Sequence, residues 1–66
     1  MIIRFSKRDG TESDAQEIRS MRLLREGPDL NVWVDDSGRE HFFDKDGYYD
    51  GWAERFGKAN ATKEKR

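Results

Sequence analysis

Few residues in this chain could do chemistry, and their spacing narrows the choice. His41 is the only histidine, and the serines are Ser6, Ser13, Ser20 and Ser37. A nucleophilic site would need a hydroxyl and an orienting acid gathered around His41. Ser13 and Ser37 already read as a capping and a turn residue, and no serine sits in a G-x-S-x-G elbow. The aspartate pairs Asp35/Asp36 and Asp44/Asp46 could hold a raised pKa if they were buried together. They fall in turn-like stretches, where acids stay ionised. Asp44-Lys45-Asp46-Gly47 has the look of the middle of a calcium loop. With Gly47 at the sixth position, the first falls on Phe42 and the twelfth on Ala53, and neither can supply a carboxylate. There is no cysteine, so disulfides and Cys-based zinc sites are excluded. The glycines never form a phosphate-binding pattern. No catalytic, metal or cofactor site is expected, and the chain does not read as an enzyme.

One stretch carries a family likeness. His41-Phe42-Phe43-Asp44-Lys45-Asp46-Gly47-Tyr48-Tyr49-Asp50-Gly51-Trp52 resembles one unit of the bacterial choline-binding cell-wall repeats. Those units work in tandem on exported proteins and hold ligand between neighbours. A single copy is present here, so no ligand residues carry over.

The elements that must position these side chains follow from local signals. Ile2-Ile3-Arg4-Phe5 reads as a first strand with Ile3 and Phe5 on one face. Arg8-Asp9-Gly10 reads as the turn after it. Ser13-Asp14-Ala15-Gln16 has the form of a capping box, and Gly27-Pro28 is a stop signal. These predict a helix over 14–26 with Ile18, Met21 and Leu24 as its buried stripe and Leu23 off it. Leu30–Asp35 alternates as a strand, and Arg39–Asp44 is the next extended run. Asp36-Ser37-Gly38 fits a three-residue hairpin loop, which would pair Val32 with Phe42 and Trp33 with His41. Tyr49, Trp52, Ala53 and Phe56 are spaced as one helical face and predict a short helix over about 48–56. The expected fold is therefore α+β: a small three-stranded, largely antiparallel sheet with one long and one short helix, in the order β-α-β-β-α. Residues 1–57 would form one domain, and 58–66 a flexible basic tail.

Composition bounds the function. Charged residues make up 41% of 66, yet the formal net charge is only −1. That balance gives no general attraction to nucleic acid or anionic membrane. The charge is segregated: residues 29–50 are net −5 and residues 58–66 net +3. No apolar run approaches the ~20 residues of a membrane span. The start is too short and too soon charged for a signal peptide, so a cytoplasmic setting is expected. So short a chain has a small core, and dimerisation or partner binding often supplements one. The leading expectation is a small protein-interaction module, an adaptor, inhibitor or subunit that could self-associate. Its partner surface would be Trp33, His41 and Phe43 on the hairpin, with Leu23. The alternative is a nucleic-acid-binding accessory protein using Arg19, Arg22 and Arg25 and the basic tail.

Overall fold

The computed structural model describes residues 1–54 and is all-β. Its strands are β1 (Ile2–Ile3), β2 (Gln16–Glu17), β3 (Met21–Glu26), β4 (Leu30–Asp35), β5 (Arg39–Asp44) and β6 (Tyr49–Glu54). β1 and β2 pair antiparallel as a small ribbon, while β3-β4-β5-β6 form a four-stranded antiparallel meander. The expected α+β order β-α-β-β-α is thus overturned. The tail expected over 58–66 and the domain boundary at 57 lie outside the described residues.

The described residues of both expected helices are extended, and each stretch contains a bulge. The helix expected over 14–26 is β2, a link and β3. In β3 the register to β4 shifts between Leu23 and Arg25, so Leu24 is an extra residue in a bulge. Arg22 then lies opposite Val34 and Arg25 opposite Val32, on one face, although they are three apart. Of the helix expected over 48–56, residues 49–54 are β6, and Phe56 lies outside the described residues. In β6 the register shifts at Asp50, so Tyr49 and Trp52 share a face while three apart. A bulge turns the period of two into a local step of three, which imitates helical spacing. Gly51 at φ +121° supplies backbone that few other residues adopt.

The capping signals are used differently. The Ser13 hydroxyl accepts the Phe5 backbone N–H at 2.9 Å and donates to the Asp14 carbonyl. Gly27-Pro28-Asp29 makes the β3–β4 turn, closed by the Gly27 N–H on the Leu30 carbonyl at 2.8 Å. The hairpin signals were read correctly. Val32 pairs with Phe42 and Trp33 with His41, and Gly38 has φ +87°. The turns at Arg8-Asp9-Gly10 and Asp44–Gly47 also form, with Gly10 and Gly47 at positive φ.

The meander has two faces. One carries Val32 and Val34, both buried, in register with Arg25, Phe42, Arg22 and Glu40. The other carries, in register, Leu23, Trp33, His41 and Trp52, and beside them Asn31, Phe43 and Tyr49. The N-terminal segment folds over part of this second face. Phe5 stacks on Tyr49 at 4.6 Å between ring centroids and meets Phe43 edge-on at 5.3 Å. The Tyr49 N–H donates to the Ser6 carbonyl, which ties the segment to β6. No helix among the described residues is long and apolar enough to cross a membrane.

Candidate partner-binding surface

The second face divides into a sealed half and an open half. The sealed half lies beneath Phe5. There His41 is 0% exposed and hydrogen-bonded at both ring nitrogens. Its Nε2 is 2.7 Å from Asp35 Oδ2, and its Nδ1 is 2.8 Å from the Tyr49 hydroxyl. The Gln16 amide donates to that hydroxyl at 3.0 Å. Asp35 Oδ1 accepts the backbone N–H groups of Ser37 and Arg39, which fixes the hairpin loop. Arg39 Nε lies 3.2 Å from Asp35 Oδ2, too poorly aligned to complete a hydrogen bond. Its guanidinium lies over the Trp52 ring.

Hydrogens assigned from these contacts run in one direction. Gln16 N–H donates to Tyr49, Tyr49 O–H to His41 Nδ1, and His41 Nε2–H to the Asp35 carboxylate. Burial pushes the Asp35 carboxyl up. The His41 hydrogen bond, the Arg39 and Ser37 N–H groups and the Arg39 charge outweigh it, so Asp35 stays below the ordinary carboxylate value. Burial pushes the Tyr49 phenol up, which keeps it protonated and donating. Gln16 Oε1 is left buried without a partner.

Acid, imidazole and hydroxyl in a row have the layout of an activated nucleophile. Access is the missing part: Asp35 is 6% exposed and Tyr49 5%, with His41 beneath them both. The row is a buried polar core that links β4, β5 and β6 through side-chain hydrogen bonds.

The aspartate turns are likewise occupied. Asp44 Oδ1 accepts the N–H groups of Asp46 and Tyr48, and Oδ2 pairs with Arg8 at 2.8 Å. The Asp36 carboxylate accepts the N–H groups of Arg19 and Ser20. Among the described residues no group of three or more His, Asp or Glu could hold a metal ion.

The open half lies toward β3. Met21, Trp33 and Phe43 line a groove of about 400 Å³, with Asn31 and Lys45 on its wall. Lys45 Nζ donates to Asn31 Oδ1 at 2.9 Å. Leu23, opposite Trp33, is 42% exposed. Of the residues expected on a partner surface, Leu23, Trp33 and Phe43 border this open half, and His41 lies in the core beside it. Leu23 was off any helical stripe; as a strand residue it shares a face with Met21. Of the arginines, Arg22 and Arg25 share the valine face and Arg19 precedes β3. Arg19 lies 3.7 Å from Asp36 and Arg25 3.8 Å from Glu40. The helical face that was to align all three does not form.

Sequence reasoning missed Phe5, Gln16, Asp35 and Tyr49 as His41's surroundings. Asp35 had a readable signal, since Asp followed by a Ser-Gly turn often bonds backbone two residues on. Gln16 had none. No family model, curated protein or solved structure matches the chain.

Proposed function

We propose that this chain is a small non-enzymatic protein-interaction module of the cytoplasm, an adaptor, inhibitor or subunit, that binds its partner through the open half of the sheet. The observation that carries the reading is the groove of Met21, Trp33 and Phe43 beside exposed Leu23 on an outer strand. Sheet faces in so small a domain are needed for the core. Leaving a tryptophan and a phenylalanine beside an unfilled groove forgoes burial worth roughly 25 cal/mol per Å². Trp at the centre of an apolar patch is a frequent binding hot spot. The sealed acid–imidazole–phenol row accounts for the remaining chemistry-bearing residues as structure.

The test is affinity capture from a lysate of the source organism by full-length wild type, by L23D and by E54A on the far edge. Proteins retained by wild type and E54A and depleted at least tenfold on L23D are expected, with all three folded by circular dichroism. Identical retention by wild type and L23D refutes this surface.

A further inference from the structure

Resting on that reading, we infer that β3 captures an extended partner segment as a fifth strand, and that the segment alternates apolar and acidic residues. β3 is the outer strand of the meander, and its far side is unpaired among the described residues. The direction of its backbone groups follows from its ends. The Ser20 carbonyl accepts the Asp36 N–H, and the Gly27 N–H donates to the Leu30 carbonyl. Antiparallel alternation then turns the backbone of Arg22 and Arg25 inward to β4, and that of Met21, Leu23 and Glu26 outward. These outward N–H and C=O groups are a template for another strand.

Side chains specify what that strand carries. Met21 and Leu23 lie on the groove face beside Trp33, so incoming residues on that side are apolar. Arg22 and Arg25 lie together on the other face because of the bulge at Leu24. Arg22 has no salt-bridge partner among the described residues, and Arg25 meets Glu40 only at 3.8 Å. Cross-strand neighbours of two arginines are favourable when acidic.

The chain's own candidates fit poorly. Antiparallel pairing of β3 with β3 of a second copy, centred on Leu23 or on Arg22, sets arginine against arginine, and like charges directly opposite repel. β6 offers Gly51 and Ala53, not acids, on the face that Arg22 and Arg25 occupy. Residues 58–66 are net positive. Charge thus selects against self and for a foreign acidic segment.

The test pans a display library of random decapeptides on the full-length protein at physiological salt. The strongest peptide is then titrated by fluorescence anisotropy. Enriched peptides are expected to alternate acidic and apolar residues. The R22E/R25E double variant should weaken binding at least tenfold, and a peptide with its acids changed to lysine should recover it. R22Q/R25Q should give an intermediate loss and serves if charge reversal unfolds the sheet. Peptides without acids, or insensitive to R22E/R25E yet lost on L23D, overturn the inference and leave the interaction surface standing. Peptides insensitive to L23D as well overturn both. Absence of enrichment overturns edge capture, while the lysate experiment judges the surface independently. A dimer in sedimentation that L23D dissociates shows a second copy as the occupant and also overturns it.

Discussion

Replacing Asp35 by asparagine tests the reading of the sealed half most sharply, because the two side chains have the same shape. In the native chain the Asp35 carboxylate accepts from His41 at 2.7 Å and from two backbone N–H groups at 2.8 and 3.1 Å. The asparagine oxygen can keep the backbone pair. Its amide then faces His41 Nε2 as a donor, so the ring must carry its proton on Nδ1. The row reverses: His41 donates to Tyr49, and Tyr49 donates to a flipped Gln16 amide, whose Oε1 is unpartnered in the native chain. The variant therefore folds. Its loss is the difference between charged and neutral hydrogen bonds, about 1–2 kcal/mol. A domain of this size has only about 3–10 kcal/mol in total. D35A instead strands the imidazole N–H and takes the acceptor from the Ser37 and Arg39 N–H groups, at about 1–3 kcal/mol for each group left buried and unpaired. Urea unfolding followed by Trp33 and Trp52 fluorescence measures both. The pH dependence gives an independent reading. Asp35's folded pKa is depressed, so its stabilisation is fully present above the unfolded value of about 3.9 and disappears as pH falls through the folded value. The gap between wild type and D35N should be full at neutral pH and close in strong acid. A nitrogen-resolved NMR spectrum should show the His41 proton moving from Nε2 to Nδ1. D35N as stable as wild type at neutral pH, or a gap unchanged in acid, refutes the assigned row.

Two further stability predictions separate the strap from the bulge. Phe5→Ala removes the ring that stacks on Tyr49 and meets Phe43 and His41, and should cost about 3 kcal/mol in urea unfolding. It should also speed hydrogen exchange at the Tyr49 N–H, which the strap covers. Gly51→Ala meets no atom within 4 Å yet must hold φ +121°, so it should cost about 1–3 kcal/mol from backbone strain alone; a neutral result would place that φ elsewhere. Leu23→Asp, on an exposed strand position, should change stability by less than about 0.5 kcal/mol.

The hairpin of β4 and β5 was legible in its strands and loop, and of the registers the sequence left open the structure adopts the one pairing Val32 with Phe42. Alternation, a three-residue loop and a glycine suited to positive φ place the hairpin, and Gly38 has φ +87°. The second helix was misread because it rested on a spacing of three that a bulge also produces, and the first because it rested on capping and stop signals that serve a turn equally well. Ser13, Gln16, Gly27 and Pro28 carried the first error, since a cap and a turn use the same small polar residues and breakers. Leu23 was the discordant residue: it fits no helical stripe with Met21 but sits two along from it on a strand. In the second stretch Gly51 was the discordant residue, unfavourable mid-helix and suited to a bulge. Hydrogen-bond partners of His41 come from β4 and β6, and Gln16 of β2 reaches the Tyr49 hydroxyl, so no local pattern could assemble the row.

The placement of the polar row bears on where a partner binds. Asp35, His41 and Tyr49 stand on β4, β5 and β6, and Gln16 joins them from β2. A shift of one residue in the pairing of those strands would separate buried donors from their acceptors, at about 1–3 kcal/mol for each group left unpaired. The row therefore makes register in this part of the sheet costly to change. β3 contributes no side chain to it and is held to the meander on one side only. Its bulge and arginines are the devices by which edge strands avoid their own kind. A strand fixed in place by neither network nor second neighbour, guarded against self-pairing and set beside an unfilled aromatic groove, has the least to lose and the most surface to gain when another chain completes it.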